Sequence, residues 1–219
     1  MKRRRAPDPM GLENRIVHQV ASWCLSYPDK QLVAKLPVLQ AAVEGLAPSV
    51  RRDALLEFLG YADSTGLGEQ QRTYVDVFDV SRKHALYLSY WTDGDTRRRG
   101  EVLGQFKQRY RASGFLVDTH GELPDFLPMV LEFAAIADPV EGLALLQQFR
   151  ASLELLRLAL VETSTPYAGV VAAVCATLPG ESPADRATVY AMAAQGPPVE
   201  QVGLDGYASR TLPIVNTSS

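Results

Sequence analysis

Two cysteines, Cys24 and Cys175, are all the thiol in this chain, and they stand far apart with no CxxC pair. That scarcity argues against a disulfide framework and against a structural zinc site, which need clustered thiols or thiols with histidines. It suits a reducing compartment, where each thiol packs as a small apolar group. Histidine is equally sparse. His18, His84 and His120 lie on separate segments without the i, i+4 pairing of a helical metal site. GxSxG, P-loop and Rossmann glycine patterns are all missing, so no catalytic residue, no metal site and no enzyme activity is expected. No apolar run approaches about eighteen residues, so no membrane-spanning helix is expected. A basic excess is lacking too: 22 Lys+Arg stand against 25 Asp+Glu, a formal net charge of -3. Nucleic-acid binders usually carry the opposite balance, which leaves a protein partner or a small ligand.

What is present suits one globular unit. At 219 residues and 47% hydrophobic composition, the chain can bury a core without staples. The basic start, Met1-Lys2-Arg3-Arg4-Arg5, runs into Ala6-Pro7-Asp8-Pro9 instead of an apolar stretch. No export signal is read there. Residues 1–10 are expected as a disordered basic tail of a cytoplasmic protein, and residues 11–195 as the helical domain. Residues 196–219, which open on Pro197-Pro198 and carry Gly203 and Gly206, are expected as a flexible tail.

Helix signals recur between those tails. Asp138-Pro139-Val140-Glu141 reads as an N-cap, a first-position proline and a capping-box glutamate. Ser182-Pro183-Ala184-Asp185 repeats the arrangement, Thr165-Pro166 has its first two elements, and Asp29 is a further cap. Ile16, Val20, Trp23 and Tyr27 follow a three-to-four step, as do Val140, Leu143, Leu146, Phe149, Leu153, Leu156 and Leu160. The spacing predicts one long helix over 138–164. Further helices are predicted over 30–46, 49–64, 69–80, 82–91, 95–113, 126–137, 166–178 and 183–195. Phe115-Leu116-Val117 is too short to build a sheet, so the expected fold is all-α, a single-domain multi-helix bundle.

Three stretches carry candidate binding chemistry. Tyr74, Phe78, Tyr87, Tyr90 and Trp91 are rich in rings, interleaved with Asp76 and Asp79; some of these rings must be core. In Thr92–Gly100, Asp95 is placed to cap a helix whose Arg97, Arg98 and Arg99 point in three directions, since successive residues lie about 100° apart. Those arginines serve either as a solvated face or as an anchor for an anionic group. In the third stretch, Asp125 reads as an N-cap with Pro128 in the first turn. Glu122 and Asp125 would then sit at the positive end of the helix dipole, beside the apolar Phe126, Leu127, Met129 and Phe133. A groove for an amphipathic peptide, with carboxylates at its rim, is the sharper reading. His18 is expected as a partly exposed helix residue.

The strings Tyr74-Val-Asp-Val-Phe-Asp79, Leu86-Tyr-Leu-Ser-Tyr90, Thr92-Asp-Gly-Asp-Thr-Arg-Arg-Arg-Gly100, Glu122-Leu-Pro-Asp125 and Val130-Leu-Glu-Phe-Ala-Ala135 follow one another in order. This region resembles the nitrate reductase delta subunit, the NarJ-type molybdenum-cofactor assembly chaperones. The resemblance implies a TorD-like helical bundle without catalysis of its own. Such a chaperone binds the apo catalytic (alpha) subunit of respiratory nitrate reductase, chiefly by its N-terminal segment. It supports insertion of bis-molybdopterin guanine dinucleotide, keeps no cofactor permanently, and works in the cytoplasm as a monomer or weak dimer. On this reading Tyr74, Asp76, Phe78, Asp79, Tyr87, Tyr90, Glu122, Asp125, Phe126 and Met129 are the client-contact candidates, and Arg97, Arg98 and Arg99 meet an anionic group. The competing readings are a chaperone of the same lineage for another molybdoenzyme and a helical nucleic-acid or regulatory module.

Overall fold

Capping residues and apolar stripes set where the helices run. The structure, a computed structural model, describes residues 11–80, 82–93, 97–115 and 121–195; both expected tails, Asp95, Leu116, Val117 and His120 lie outside them. In chain order come α1 (Gly11–Leu25), α2 (Lys30–Glu44), α3 (Val50–Ser64) and α4 (Leu67–Tyr74), which runs into a π turn, Val75–Asp79. A short 3-10 turn (Arg82–His84), α5 (Tyr90–Asp93) and α6 (Arg97–Ala112) follow. Next is α7 (Leu127–Glu132), which continues as a second π turn, Phe133–Ala137. Then come α8 (Pro139–Gln148), α9 (Arg150–Glu162), α10 (Ala168–Cys175) and α11 (Arg186–Gln195). Among the described residues there is no strand, only an isolated antiparallel bridge between Tyr87 and Phe126. The fold is an all-α, single-domain bundle.

Two caps stand where the sequence puts them. Asp29 Oδ1 accepts from the Gln31 and Leu32 amides at 2.9 Å each. Asp138 Oδ1 accepts from the Val140 and Glu141 amides at 3.2 and 3.1 Å, behind Pro139. Each such cap is worth about 1 kcal/mol. Two others move. Ser182 donates its hydroxyl to Glu154 at 2.8 Å, while Asp185 takes the Thr188 amide at 2.8 Å and starts α11. The Thr165 side chain caps nothing; its carbonyl accepts from the amide of Ala168, where α10 begins. The predicted helix 138–164 is two helices, because Phe149 takes φ -102° and ψ 23°. A side-chain period carries no trace of a break confined to one residue. Predicted helix 82–91 is helical only at its ends.

α1 is the central element. Val17, Val20, Ala21, Cys24 and Leu25 are essentially fully buried, and the helix packs on α7 and α10. Ser22 donates to the Pro128 carbonyl at 2.8 Å, pinning α1 to α7. A side chain at Gly142 would place its Cβ 2.3 Å from the Ala134 Cα, so only glycine lets α8 approach the second π turn this closely. Glu154, with no exposed surface, pairs with Arg157 at 2.6 Å and Arg150 at 3.7 Å. Arg150 in turn donates to the Gly180 and Glu181 carbonyls, fastening that loop to α9.

His18 departs from expectation: its ring is fully buried in the α1 interface. Nε2–H donates to Thr177 Oγ1 at 2.7 Å, and that hydroxyl donates onward to the Val174 carbonyl. Burial, with the Arg51 charge second, pushes the imidazole down from 6.5 to about 4.

The irregular stretch between α4 and α7 forms a clamp. Residues 85–90 lie antiparallel to 123–127: the Leu127 amide donates to the Leu86 carbonyl at 2.7 Å, and the Leu88 amide to the Asp125 carbonyl at 3.1 Å. The Asp125 side chain has no exposed surface; its Oδ2 accepts the Ser89 amide at 3.0 Å and the Ser89 hydroxyl at 2.6 Å. Asp125 is therefore not the expected N-cap. α7 starts behind Phe126 with no side-chain cap, and Pro128 falls in its first turn as predicted. The amide and the hydroxyl of Ser89, both cut off from water, draw the carboxylate across the clamp instead.

Two outcomes follow from this packing. Between pH 6.5 and about 4 the unfolded chain protonates His18 while the folded chain does not. Stability fully present above the unfolded value is lost as pH falls, by up to about 3 kcal/mol. Denaturant titrations across that window should show the loss in the wild type and a flatter profile in His18→Gln; equal profiles would contradict the assignment. Asp125→Lys sets a cation against two buried donors and should abolish cooperative thermal unfolding, a cost of about 3–5 kcal/mol. Asp125→Asn keeps an acceptor and should remain folded with a loss of about 1–3 kcal/mol. A Lys variant that melts like the wild type, followed by circular dichroism, would refute the clamp.

Candidate functional site

An open groove of about 610 Å³ lies between the clamp, the first π turn and the segment following α1. Tyr74, Phe78 and Asp79 reach it from the α4–π junction, Tyr87 and Tyr90 from one side of the clamp, and Glu122 and Phe126 from the other. Seven of the ten residues expected to contact a client thus share one wall system, although they come from three separate stretches. The other three do not line it. Asp125 is buried in the clamp, Asp76 is exposed outside the groove, and Met129 packs half-buried against the core. Tyr27, Ala85, Leu86 and Leu123 line the groove as well, unforeseen from the sequence. Tyr27 had a signal, since it ends the apolar stripe of α1, but that period reads as core. Instead the ring is 50% exposed and sits edge-on to Tyr74 at 5.4 Å.

The rings divide by depth. Tyr74 and Phe78 are buried and back onto Tyr167, Phe78 at 4.8 Å between centroids. Tyr74 Oη donates to the Leu25 carbonyl at 3.2 Å, fixing the ring to the end of α1. Burial holds its phenol above the ordinary range, so it stays a neutral donor. Tyr87 and Phe126 stack at 5.6 Å across the clamp and remain partly exposed. Tyr87 Oη donates to Glu122 Oε2 at 2.6 Å; burial first, and that bond second, push the phenol upward. Trp91 turns away from the solvent and donates Nε1–H to the Ala85 carbonyl at 2.9 Å, supporting the clamp from behind.

The three arginines point apart, as the helical spacing predicts. Arg97 and Arg98 are exposed on α6, whereas Arg99 lines the groove. Its guanidinium carbon lies 5.8 Å from the centroids of both Tyr87 and Tyr90, a cation–π arrangement with two rings. Arg99 Nε donates to Ser89 Oγ at 3.3 Å, and Nη2 stands 3.9 Å from Asp125 Oδ2. Ser89 therefore links the buried carboxylate to the groove's cation. His84 is structural: the buried ring meets the Val77 carbonyl through Nδ1 at 2.9 Å and the Ala159 carbonyl through Nε2 at 3.2 Å, joining the π turn to α9. Among the described residues no group of His, Cys, Asp and Glu side chains converges to hold a metal ion, and no helix is long and apolar enough to cross a membrane. Among the described residues the groove offers aromatic faces, the Arg99 cation and the exposed acids Asp79 and Glu122, which is contact chemistry for an amphipathic polypeptide segment.

The chain is similar to known proteins. The family model described as nitrate reductase delta subunit matches residues 43–173. The chain is 42% identical over 162 residues to the nitrate reductase-like protein NarX of Mycobacterium tuberculosis; the match covers 74% of this chain and 24% of that protein, so this chain spans about a quarter of its length. It is 32% identical over 166 residues to the probable nitrate reductase molybdenum cofactor assembly chaperone NarJ of Bacillus subtilis, covering 76% of this chain and 90% of that one. With the nitrate reductase molybdenum cofactor assembly chaperone NarJ of Escherichia coli it shares 27% identity over 151 residues, 68% of this chain and 64% of the other. With a family model matched across most of the bundle and a relative aligned over nearly its whole length, the chain belongs to the nitrate reductase delta subunit family.

Proposed function

We propose that this chain is an assembly chaperone for respiratory nitrate reductase, with no catalytic activity of its own. Its helical domain, residues 11–195, takes the N-terminal segment of the apo catalytic subunit into the Tyr87–Phe126 groove. It keeps that subunit open in the cytoplasm until bis-molybdopterin guanine dinucleotide, which is the client's cargo, has been inserted. The observation that carries this reading is the convergence of Tyr74, Phe78, Asp79, Tyr87, Tyr90, Glu122 and Phe126 on one groove. The Bacillus subtilis and Escherichia coli relatives, nitrate reductase molybdenum cofactor assembly chaperones, support nitrate reductase as the client enzyme and a molybdenum cofactor as its cargo.

The physics of the groove suits temporary holding. Exposed aromatic faces bind the apolar side of an amphipathic segment, and Asp79 and Glu122 attract basic side chains at the rim. Ordering a mobile segment costs several kcal/mol, which keeps the net affinity near about -8 kcal/mol, a micromolar dissociation constant. A client held at that strength is released when cofactor insertion and subunit assembly bury the same segment elsewhere.

Calorimetric titration with the N-terminal peptide of the host's catalytic subunit should give saturable binding in the micromolar range. Glu122→Lys reverses an exposed rim charge without touching the core and should weaken it about tenfold. If the folded wild-type protein ignores the peptide, the client is another molybdoenzyme or the contact lies elsewhere.

A further inference from the structure

We propose that Arg99 reads an acidic residue of the bound segment while Glu122 and Asp79 read a basic one, so that the groove selects an amphipathic helix carrying opposite charges one turn apart. This rests on the groove being the client site and specifies the client's chemistry. Arg99 is the one cation among the described groove-lining residues, and the acids that share the wall are Asp79 and Glu122. A complementary segment must therefore answer both signs.

Tyr87 sets the separation of the two charges. Its ring face lies beside the Arg99 guanidinium, at 5.8 Å, and the hydroxyl at its far end holds Glu122 Oε2 at 2.6 Å. The cation and the acid are thus on the order of one helical turn apart, the spacing of i and i+3 or i+4 side chains on one helix face. Arg99 is also positioned in advance. Two tyrosine rings and the Ser89 hydroxyl hold it, and the 3.9 Å approach of Asp125 is too long for a hydrogen bond, so the buried carboxylate acts on Arg99 through charge and through Ser89. A guanidinium whose rotamer is already restricted loses little further entropy on taking a carboxylate, and its planar fork suits that partner. Arg97 and Arg98, on the exposed faces of α6, do not share this setting. Arg99 is therefore set apart from its two neighbours in the triplet.

The test is a charge exchange measured by calorimetry, with the full chain and the catalytic subunit's N-terminal peptide. Arg99→Gln should weaken binding about tenfold or more, and Arg99→Glu further, while Arg97→Glu and Arg98→Glu stay within about twofold. Replacing the peptide's acidic residues by lysine one at a time should give one peptide that fails on the wild type and regains affinity on Arg99→Glu. If Arg99→Glu does not melt cooperatively, Arg99→Gln is paired with peptides whose acids are changed to glutamine. Non-additive losses for one acid support the proposal, and additive losses for every acid overturn it. Wild-type binding that is unaltered in folded Arg99→Gln overturns the acid reading alone, whereas a wild type that does not bind the peptide overturns this peptide as the groove's client, and with it the proposal that rests on that client.

Discussion

The groove depends on one buried carboxylate. Asp125 has no exposed surface, yet two irregular stretches of backbone meet through it. An unpaired carboxylate in such a place costs several kcal/mol, and so do the unpaired donors it serves. Asp125 on Ser89 therefore fastens a clamp that the Leu127–Leu86 and Leu88–Asp125 backbone bonds align. Around that contact the polar tips of large side chains close the remaining backbone groups: Tyr110 Oη on the Pro124 carbonyl at 2.7 Å and Trp91 Nε1 on the Ala85 carbonyl at 2.9 Å. Aromatic residues suit this task because each buries a wide apolar face and still presents one donor.

A second constraint shapes the opposite wall. The π turn at Val75–Asp79 holds one residue more than an α-turn, and its closing bond runs from the Val80 amide to the Val75 carbonyl. Such turns often mark functional positions because they re-aim the side chains that follow. Here Phe78 backs onto Tyr167 while Asp79 reaches the rim. His84, hydrogen-bonded to the Val77 carbonyl, fixes the turn from behind. Walls tied down in this way present aromatic and charged groups in set places, so a bound segment would pay most of the ordering entropy and the groove little.

Much of this is legible in the sequence. Local features read well: the Asp29 and Asp138 caps, the helical period, the divergence of Arg97, Arg98 and Arg99, and the lack of strands among the described residues depend on residues close in sequence. What was not legible depends on partners far along the chain. Asp125 reads as a cap because Pro128 follows it, and nothing nearby reveals that Ser89 would claim it. His18 looks like a surface residue until Thr177 is brought against it. The break at Phe149 falls inside an unbroken apolar period, and Ser182 yields its capping place to Asp185 because Glu154 lies within reach. The groove's walls are legible largely through their aromatic strings; Tyr27 is not, because its spacing matches the core stripe of α1.

In the proposed function the groove is the surface on which a client segment rests. Its most direct test is to titrate isotope-labelled protein with the N-terminal peptide of the nitrate reductase catalytic subunit and follow the backbone amide resonances. The largest shifts are predicted at Tyr74–Asp79, Ala85–Tyr90 and Glu122–Phe126, with α2 and the α3–α10 face little changed. Shifts concentrated on α2 or on the α3–α10 face, with the clamp amides unmoved, would contradict it.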